Sequence, residues 1–217
     1  MTDLGILRDR FLEAQLRGDR RAAMSVVLEQ GLAAGVSVLD LYEHVLRAAQ
    51  HEIGRLWQEN VVSIAQEHMA TAISNLALSQ LFERAEPRPR NGKRVLVACV
   101  EGEQHELPSR LVADTLDLAG FSVRYLGANV PTDSLLAMIA SDRPDLVALS
   151  VTMSFHVSAL REVVSRIRAE HPDLPIAVGG AAVLWTEGLP RALGITITAP
   201  SALELVTAAE QALGVGR

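Results

Sequence analysis

A change of pattern at residues 86–92 constrains this chain more than any other feature. Before it, residues 1–85 contain no proline and carry apolar residues at every third or fourth position. That is the period of helices that bury one face. After it, short apolar runs alternate with helical segments, the rhythm of a parallel sheet wrapped by helices. Between them stands Glu86-Pro87-Arg88-Pro89-Arg90-Asn91-Gly92, polar and proline-bearing, which reads as a linker. The expected division is a helical unit over 1–85, a linker over 86–92 and an α/β domain over 93–217.

In the first part, Leu4, Leu7, Phe11, Ala14 and Leu16 predict a helix that stops near Gly18. Asp19 can cap a second, with Ala22, Ala23, Val26, Val27 and Leu28 turned inward. A third runs from about Val38 to Trp57. Ser63 can cap a fourth, which carries Ala65, Met69, Ala72, Ile73, Leu76, Leu81 and Phe82. Short loops imply antiparallel neighbours, hence a four-helix bundle. In the second part, strands are predicted at 94–100, 122–126, 145–150, 174–178 and 195–198. Helices are predicted at 106–119, 132–141, 155–169, 181–192 and 201–213. The fold class is α + α/β, with a flavodoxin-like (Rossmann-type) five-stranded parallel sheet of order 2-1-3-4-5.

At 49% hydrophobic and 4% aromatic residues, the core must be aliphatic. A net charge of −6 argues against a nucleic-acid-binding surface. Met1-Thr2-Asp3 lacks the basic flank and apolar block of a signal peptide, and no apolar stretch is long enough to span a bilayer. A cytoplasmic protein is expected. The single cysteine, Cys99, excludes a disulfide framework and a cysteine-rich metal site. At the end of an apolar strand it reads as a small buried hydrophobe. Arg17, Arg20 and Arg21, and Asp40, Glu43, His44 and Glu52, read as solvated helix faces. No catalytic dyad stands out.

The chemistry lies in three pieces that each follow a predicted strand. Glu103-Gln104-His105-Glu106-Leu107-Pro108 is followed by 41 residues, then Ser150-Val151-Thr152, then 26 residues, then Gly179-Gly180. Alone, each has a plainer reading: a loop histidine, a strand-end serine, an ordinary turn. Together they meet along one sheet edge, where open α/β sheets bind ligands. The set resembles the cobalamin-binding domain of corrinoid proteins, whose pattern is Asp-x-His-x-x-Gly, about 41 residues, Ser-x-Leu, 26 to 28 residues, Gly-Gly. Glu103, Pro108 and Thr152 depart from that pattern. The resemblance implies that His105 ligates cobalt from below and that Glu103 holds its other ring nitrogen, directly or through a shifted or water-mediated link. Ser150 and Thr152 would meet the displaced nucleotide tail. Gly127, Gly179 and Gly180 would admit it and the corrin edge. His156, near the same edge, reads as a helix-start residue, with pocket lining as its alternative.

In the helical part, Trp57 precedes Glu67-His68 by nine residues. This resembles the light-sensing region of the CarH family of MerR-type photoreceptor repressors, where Trp-x9-Glu-His covers the adenosyl group of adenosylcobalamin. By that resemblance Trp57, Glu67 and His68 contact the adenosyl side. The family's DNA-binding domain has no counterpart here, so no direct nucleic-acid binding is expected. Its second cobalt-ligating histidine directly follows the tryptophan. Gln58 stands there in this chain, leaving His51, His68 or water as the upper ligand after illumination. Stand-alone photocobilins, which bind a bilin such as biliverdin beside the cobalamin, also resemble this architecture. The function implied is an oligomeric adenosylcobalamin light sensor that signals to a protein partner. The alternatives are a corrinoid carrier of a methyltransferase system and an apo interaction module. The sensor would not be an enzyme, and the carrier would be a subunit of one.

Overall fold

The computed structural model describes residues 3–195 and 197–215. The chain forms two compact units, Met1–Glu86 and Pro87–Arg217.

The first unit is helical. Helix α1 (Leu4–Leu16) starts where Asp3 accepts the N–H groups of Gly5 and Ile6. Helix α2 (Arg20–Ser25), capped by Asp19, runs on into a π-helical turn at Val26–Gly31. Helix α3 begins as Val38–Asp40, widens into a π-helical turn at Leu41–Arg47 and continues as Ala48–Gln58. Helix α4 (Ile64–Phe82) opens with a reciprocal capping box between Ser63 and Gln66. The two wide turns replace the uninterrupted second and third helices expected from periodicity, which does not separate α from π winding. Phe11, Val27, Leu41, Tyr42, Leu46, Ile53, Ile73, Leu78 and Leu81 fill the core. On α4 the buried stripe is Ala70, Ile73, Ser74, Ala77, Leu78 and Leu81, and Met69 and Leu76 are exposed. Apolar residues are spread around this helix rather than gathered in one stripe, so its pattern does not say which of them face inward. Glu43 is not a solvated residue either: its side chain is 12% exposed and pairs with Arg47.

The second unit is a parallel sheet of order β2-β1-β3-β4-β5. Its strands are β1 (Arg94–Cys99), β2 (Ser122–Tyr125), β3 (Leu146–Ser150), β4 (Ile176–Gly179) and β5 (Ile197–Thr198). Thr196, within the strand predicted at 195–198, lies outside the described residues. The connecting helices are α5 (Leu107–Leu118), α6 (Thr132–Asp142), α7 (Val157–Glu170), α8 (Ala181–Trp185), α9 (Leu189–Ala192) and α10 (Ala202–Leu213). The single helix expected over 181–192 is broken at Thr186-Glu187-Gly188, where Gly188 turns left-handed (φ 75°) and Pro190 starts α9. Central strands β1 and β3 are buried on both faces, as helix-covered parallel strands must be. Two aliphatic clusters, one on each face, complete the core.

The predicted linker is not slack. Arg88 N–H donates to Leu118 O (2.8 Å), Asn91 N–H donates to Gly120 O (2.9 Å), and Arg90 pairs with Asp117. The segment is a strap across the end of α5. Gly120 is left-handed (φ 95°), and a Cβ there would lie 2.4 Å from Pro89 O. Gly120→Ala should therefore cost about 3 kcal/mol or more, combining backbone strain with a backbone clash. Gly194→Ala, at φ 63° with open space, should cost about 1 kcal/mol. Hydrogen exchange of the β1 and β2 amides checks the difference, and equal losses would mean the strap carries no stability.

Candidate functional site

The C-terminal edge of the sheet gathers Glu103, His105, Gly127, Ser150, Thr152, Gly179 and Gly180, with Cys99 and His156 beside them. Cys99, Ser150 and Gly179 end β1, β3 and β4 as direct neighbours in register. The loop after β1 turns at Gly102 (φ 86°) and carries Glu103 and His105. Glu103 is fully buried. Its Oε1 accepts His105 Nδ1 (2.5 Å) and the His105 backbone N–H (2.9 Å). Its Oε2 accepts the backbone N–H groups of Thr152 (2.8 Å) and Met153 (2.9 Å). The carboxylate–imidazole link is thus direct, not shifted or water-mediated. The longer side chain spans from one loop to the other. Burial alone would raise the Glu103 pKa, but the His105 ring and three backbone N–H groups overcome it and hold the carboxyl at about 2. An ionised Glu103 can only accept, so Nδ1 of His105 carries a proton, and in the neutral ring Nε2 holds the lone pair. The ring itself is 44% exposed.

Around this dyad the edge is shaped for something else to fill. Ser150 is 6% exposed and its Oγ has no hydrogen-bond partner. Thr152 Oγ1, two residues on, is also buried and unpartnered. A Cβ on Gly179 would meet nothing within 4 Å, so this position faces open space. Gly180 differs: at φ 99°, a Cβ would lie 2.2 Å from Val151 O, so only glycine lets the loops after β3 and β4 touch. Gly127 (φ 81°) follows β2 and its carbonyl accepts Cys99 N–H. His156 packs its ring against Gly102 and edge-on to Phe155.

Asn129 escaped the sequence reading. Left-handed at φ 50°, it accepts Gly102 N–H on Oδ1 and donates its own N–H to Glu103 O, both at 2.8 Å. It thereby fixes the loop that carries the dyad. An Asn followed by Val-Pro is a turn signal that points to this role. Beneath His105, Cys99 Sγ, Ser109 Oγ and Tyr125 Oη form a buried polar group around Glu106 O. Burial pushes the Cys99 thiol up to about 11, which suits the inert role expected of it.

Trp57, Glu67 and His68 belong to the helical unit, on either side of the turn joining α3 to α4. Trp57 is half-buried. His68 Nδ1 meets Glu67 Oε2 at 2.6 Å, with the histidine side chain 71% exposed and the glutamate 18%.

Residues 93–210 match the family described as "B12 binding domain", and residues 7–81 match a second family of the same description. The chain belongs to the B12-binding domain family. It binds cobalamin, and its α + α/β architecture is that of corrinoid proteins. It is 33% identical over 175 residues to the HTH-type transcriptional repressor CarH of Myxococcus xanthus, covering 80% of this chain and 58% of that protein. It thus spans little more than half of that relative. Trimethylamine corrinoid protein 2 of Methanosarcina mazei is 26% identical over 197 residues, 88% of each chain. Among solved structures, the monomethylamine corrinoid protein of Methanosarcina barkeri superposes with a TM-score of 0.86 at 21% identity, covering 95% of this chain and 98% of that one. No helix among the described residues is long and apolar enough to cross a membrane.

The site fits the group that the family implies. Among the described residues no three His, Cys, Asp or Glu side chains converge to hold a bare ion. One prepared imidazole suits a metal that brings its other ligands with it, as a corrin does. The unpartnered hydroxyls of Ser150 and Thr152 offer hydrogen bonds to a polar ligand beside the open space at Gly179. Ser150→Ala therefore has opposite effects on the two states. Apoprotein stability should stay within about 0.5 kcal/mol or rise, because the hydroxyl makes no bond there. Cobalamin retention should fall about tenfold, the worth of one buried hydrogen bond. Urea unfolding and a binding titration read the two effects, and a loss confined to apoprotein stability would contradict this role.

Proposed function

We propose that the chain is an adenosylcobalamin light sensor, with His105 as the lower cobalt ligand and Glu103 fixing its tautomer. Ser150, Thr152, Gly127, Gly179 and Gly180 receive the nucleotide tail and the corrin edge. Trp57, Glu67 and His68 supply the contacts to the adenosyl group. The observation that carries this reading is the Trp57-x9-Glu67-His68 set, with Glu67 and His68 paired, in a chain 33% identical to a CarH repressor. Bound adenosylcobalamin supplies a cobalt–carbon bond that visible light cleaves. The helical unit then loses what Trp57 and Glu67 hold. A conformational equilibrium moves only by a difference in affinity between its states. A difference of about 3 kcal/mol, one charged hydrogen bond plus one aromatic contact, shifts populations about 150-fold. The output is a change in self-association or in binding to a protein partner. A bilin such as biliverdin as a second chromophore is supported only by likeness to photocobilins.

A methyl-carrying corrinoid subunit is the second reading. It is favoured by end-to-end similarity to corrinoid proteins named for methylamines. Such proteins are carriers rather than catalysts, so neither reading makes this chain an enzyme on its own.

Purified holoprotein should change both its absorption spectrum and its hydrodynamic size on green illumination. His105→Ala should lose the histidine-ligated, base-off spectrum and retain cobalamin at least tenfold more weakly. Identical spectra and size in dark and light, with selective uptake of methylcobalamin, would decide for the carrier.

A further inference from the structure

The strap at the start of the α/β unit contains a reactive dipeptide. The asparagines of this chain are Asn60, Asn75, Asn91 and Asn129, and only Asn91 is followed by glycine. The side-chain carbonyl of an asparagine is open to attack by the backbone nitrogen of the next residue. Attack requires that this nitrogen be unengaged and uncrowded, and that the carbonyl oxygen be able to take up negative charge.

At the other positions the nitrogen is tied up. Val61 N–H donates to Leu56 O (2.8 Å), and Val130 N–H donates to Cys99 O (3.4 Å). Leu76 lies within α4, where its N–H belongs to the helix ladder. Gly92 differs. Among the described residues nothing accepts its N–H, it is exposed, and a Cβ on it would meet nothing within 4 Å.

The carbonyl is prepared as well. Asn91 Oδ1 accepts the Lys93 N–H (2.9 Å), so the side chain folds back over Gly92 and brings Cγ towards its nitrogen. The same N–H stabilises the charge that attack places on Oδ1. The amide nitrogen Nδ2, by contrast, is buried with no hydrogen-bond partner. A buried donor left unpaired is costly, and its departure removes that cost. The backbone of Asn91 is pinned meanwhile, its N–H donating to Gly120 O (2.9 Å).

We propose that Asn91–Gly92 is a self-modification site, at which the chain deamidates and loosens its own strap with age. The Gly92 nitrogen bonds to Asn91 Cγ and gives its proton to solvent. The Cγ–Nδ2 bond breaks, and Nδ2 takes a proton from water and leaves as ammonia. The succinimide ring so formed then takes up one water. Opening at Cγ gives aspartate, and opening at the main-chain carbonyl gives isoaspartate, whose main chain runs through Cβ and Cγ. The isoaspartate lengthens the strap by a methylene between Asn91, which bonds Gly120 O, and Lys93, whose carbonyl accepts Ser122 N–H (2.8 Å). His105 follows the opposite end of β1, so its site is untouched.

Peptide mapping by mass spectrometry of the full chain, incubated at neutral and mildly alkaline pH, reads conversion at every asparagine. A peptide of residues 86–97 supplies the rate of the same sequence without the fold. In the folded chain Asn91 should convert at or above the peptide's rate, and faster at higher pH, while Asn60, Asn75 and Asn129 keep their amides. The aged chain should accept methyl groups in an isoaspartyl methyltransferase assay. Trypsin should cut it after Arg90 on the order of tenfold faster than fresh chain, the worth of one backbone hydrogen bond. Freshly prepared Asn91→Asp keeps an acceptor for Lys93 N–H and should show neither change. A folded chain that converts more slowly than the peptide, or equal conversion at the other asparagines, would overturn the site. Conversion with unchanged cleavage after Arg90 would overturn the loosening. An altered spectrum of bound cobalamin in the aged chain would overturn its confinement to the strap.

Discussion

The α/β unit's site depends on one buried carboxylate. Glu103 takes four hydrogen bonds, two from His105 and two from the backbone after β3. An ionised carboxylate with no exposed surface is tolerable only when its lone pairs are met, and here they are. That compensation does three things at once. It fixes the imidazole tautomer, it ties the loop after β1 to the loop after β3, and it leaves the hydroxyls of Ser150 and Thr152 without partners. Asn129 and the tight passage of Gly180 beside Val151 brace the same two loops from outside. A ligand arriving at this edge meets a preformed frame, and little ordering entropy opposes its binding.

The helical unit solves a like problem differently. Glu67 is only partly buried and stands at the end of a relay of neutral donors that begins in the bundle core. Glu103 is held mostly by backbone, so its geometry follows from the fold of the loops. Glu67 is held by side chains on α3 and α4, so its geometry follows from the register of helices. The two carboxylate–histidine pairs are thus held by means that respond to different perturbations.

Much of the α/β architecture was legible because each strand is an apolar run bounded by turn residues, and a parallel sheet needs runs of that kind. The site was legible through spacing: His105, Ser150 and Gly179 each follow a strand, and the sheet brings strand ends together. Other features were not legible, for physical reasons. Nothing in Thr152 and Met153 announces that their N–H groups grip Glu103, since any non-proline backbone can donate. Gln15 and Ser74 sit within apolar stripes, where a pattern read by hydrophobicity passes over them. The break after Trp185 depends on Gly188 and Pro190 acting together, and either alone is compatible with a longer helix. On α4, Met69 and Leu76 are as apolar as the residues that face the core, so only packing distinguishes them.

The wide turns of α2 and α3 touch: a Cβ on Gly31, closing the first, would lie 2.8 Å from Leu41 Cδ2, opening the second. A π-helical turn holds one residue more than an α turn needs. Returning that residue to α winding would spin everything beyond it by about 100° about the helix axis. Beyond the second wide turn on α3 lie Gln50 and Trp57. The winding of this one turn therefore sets the direction in which the far half of the helix presents its side chains.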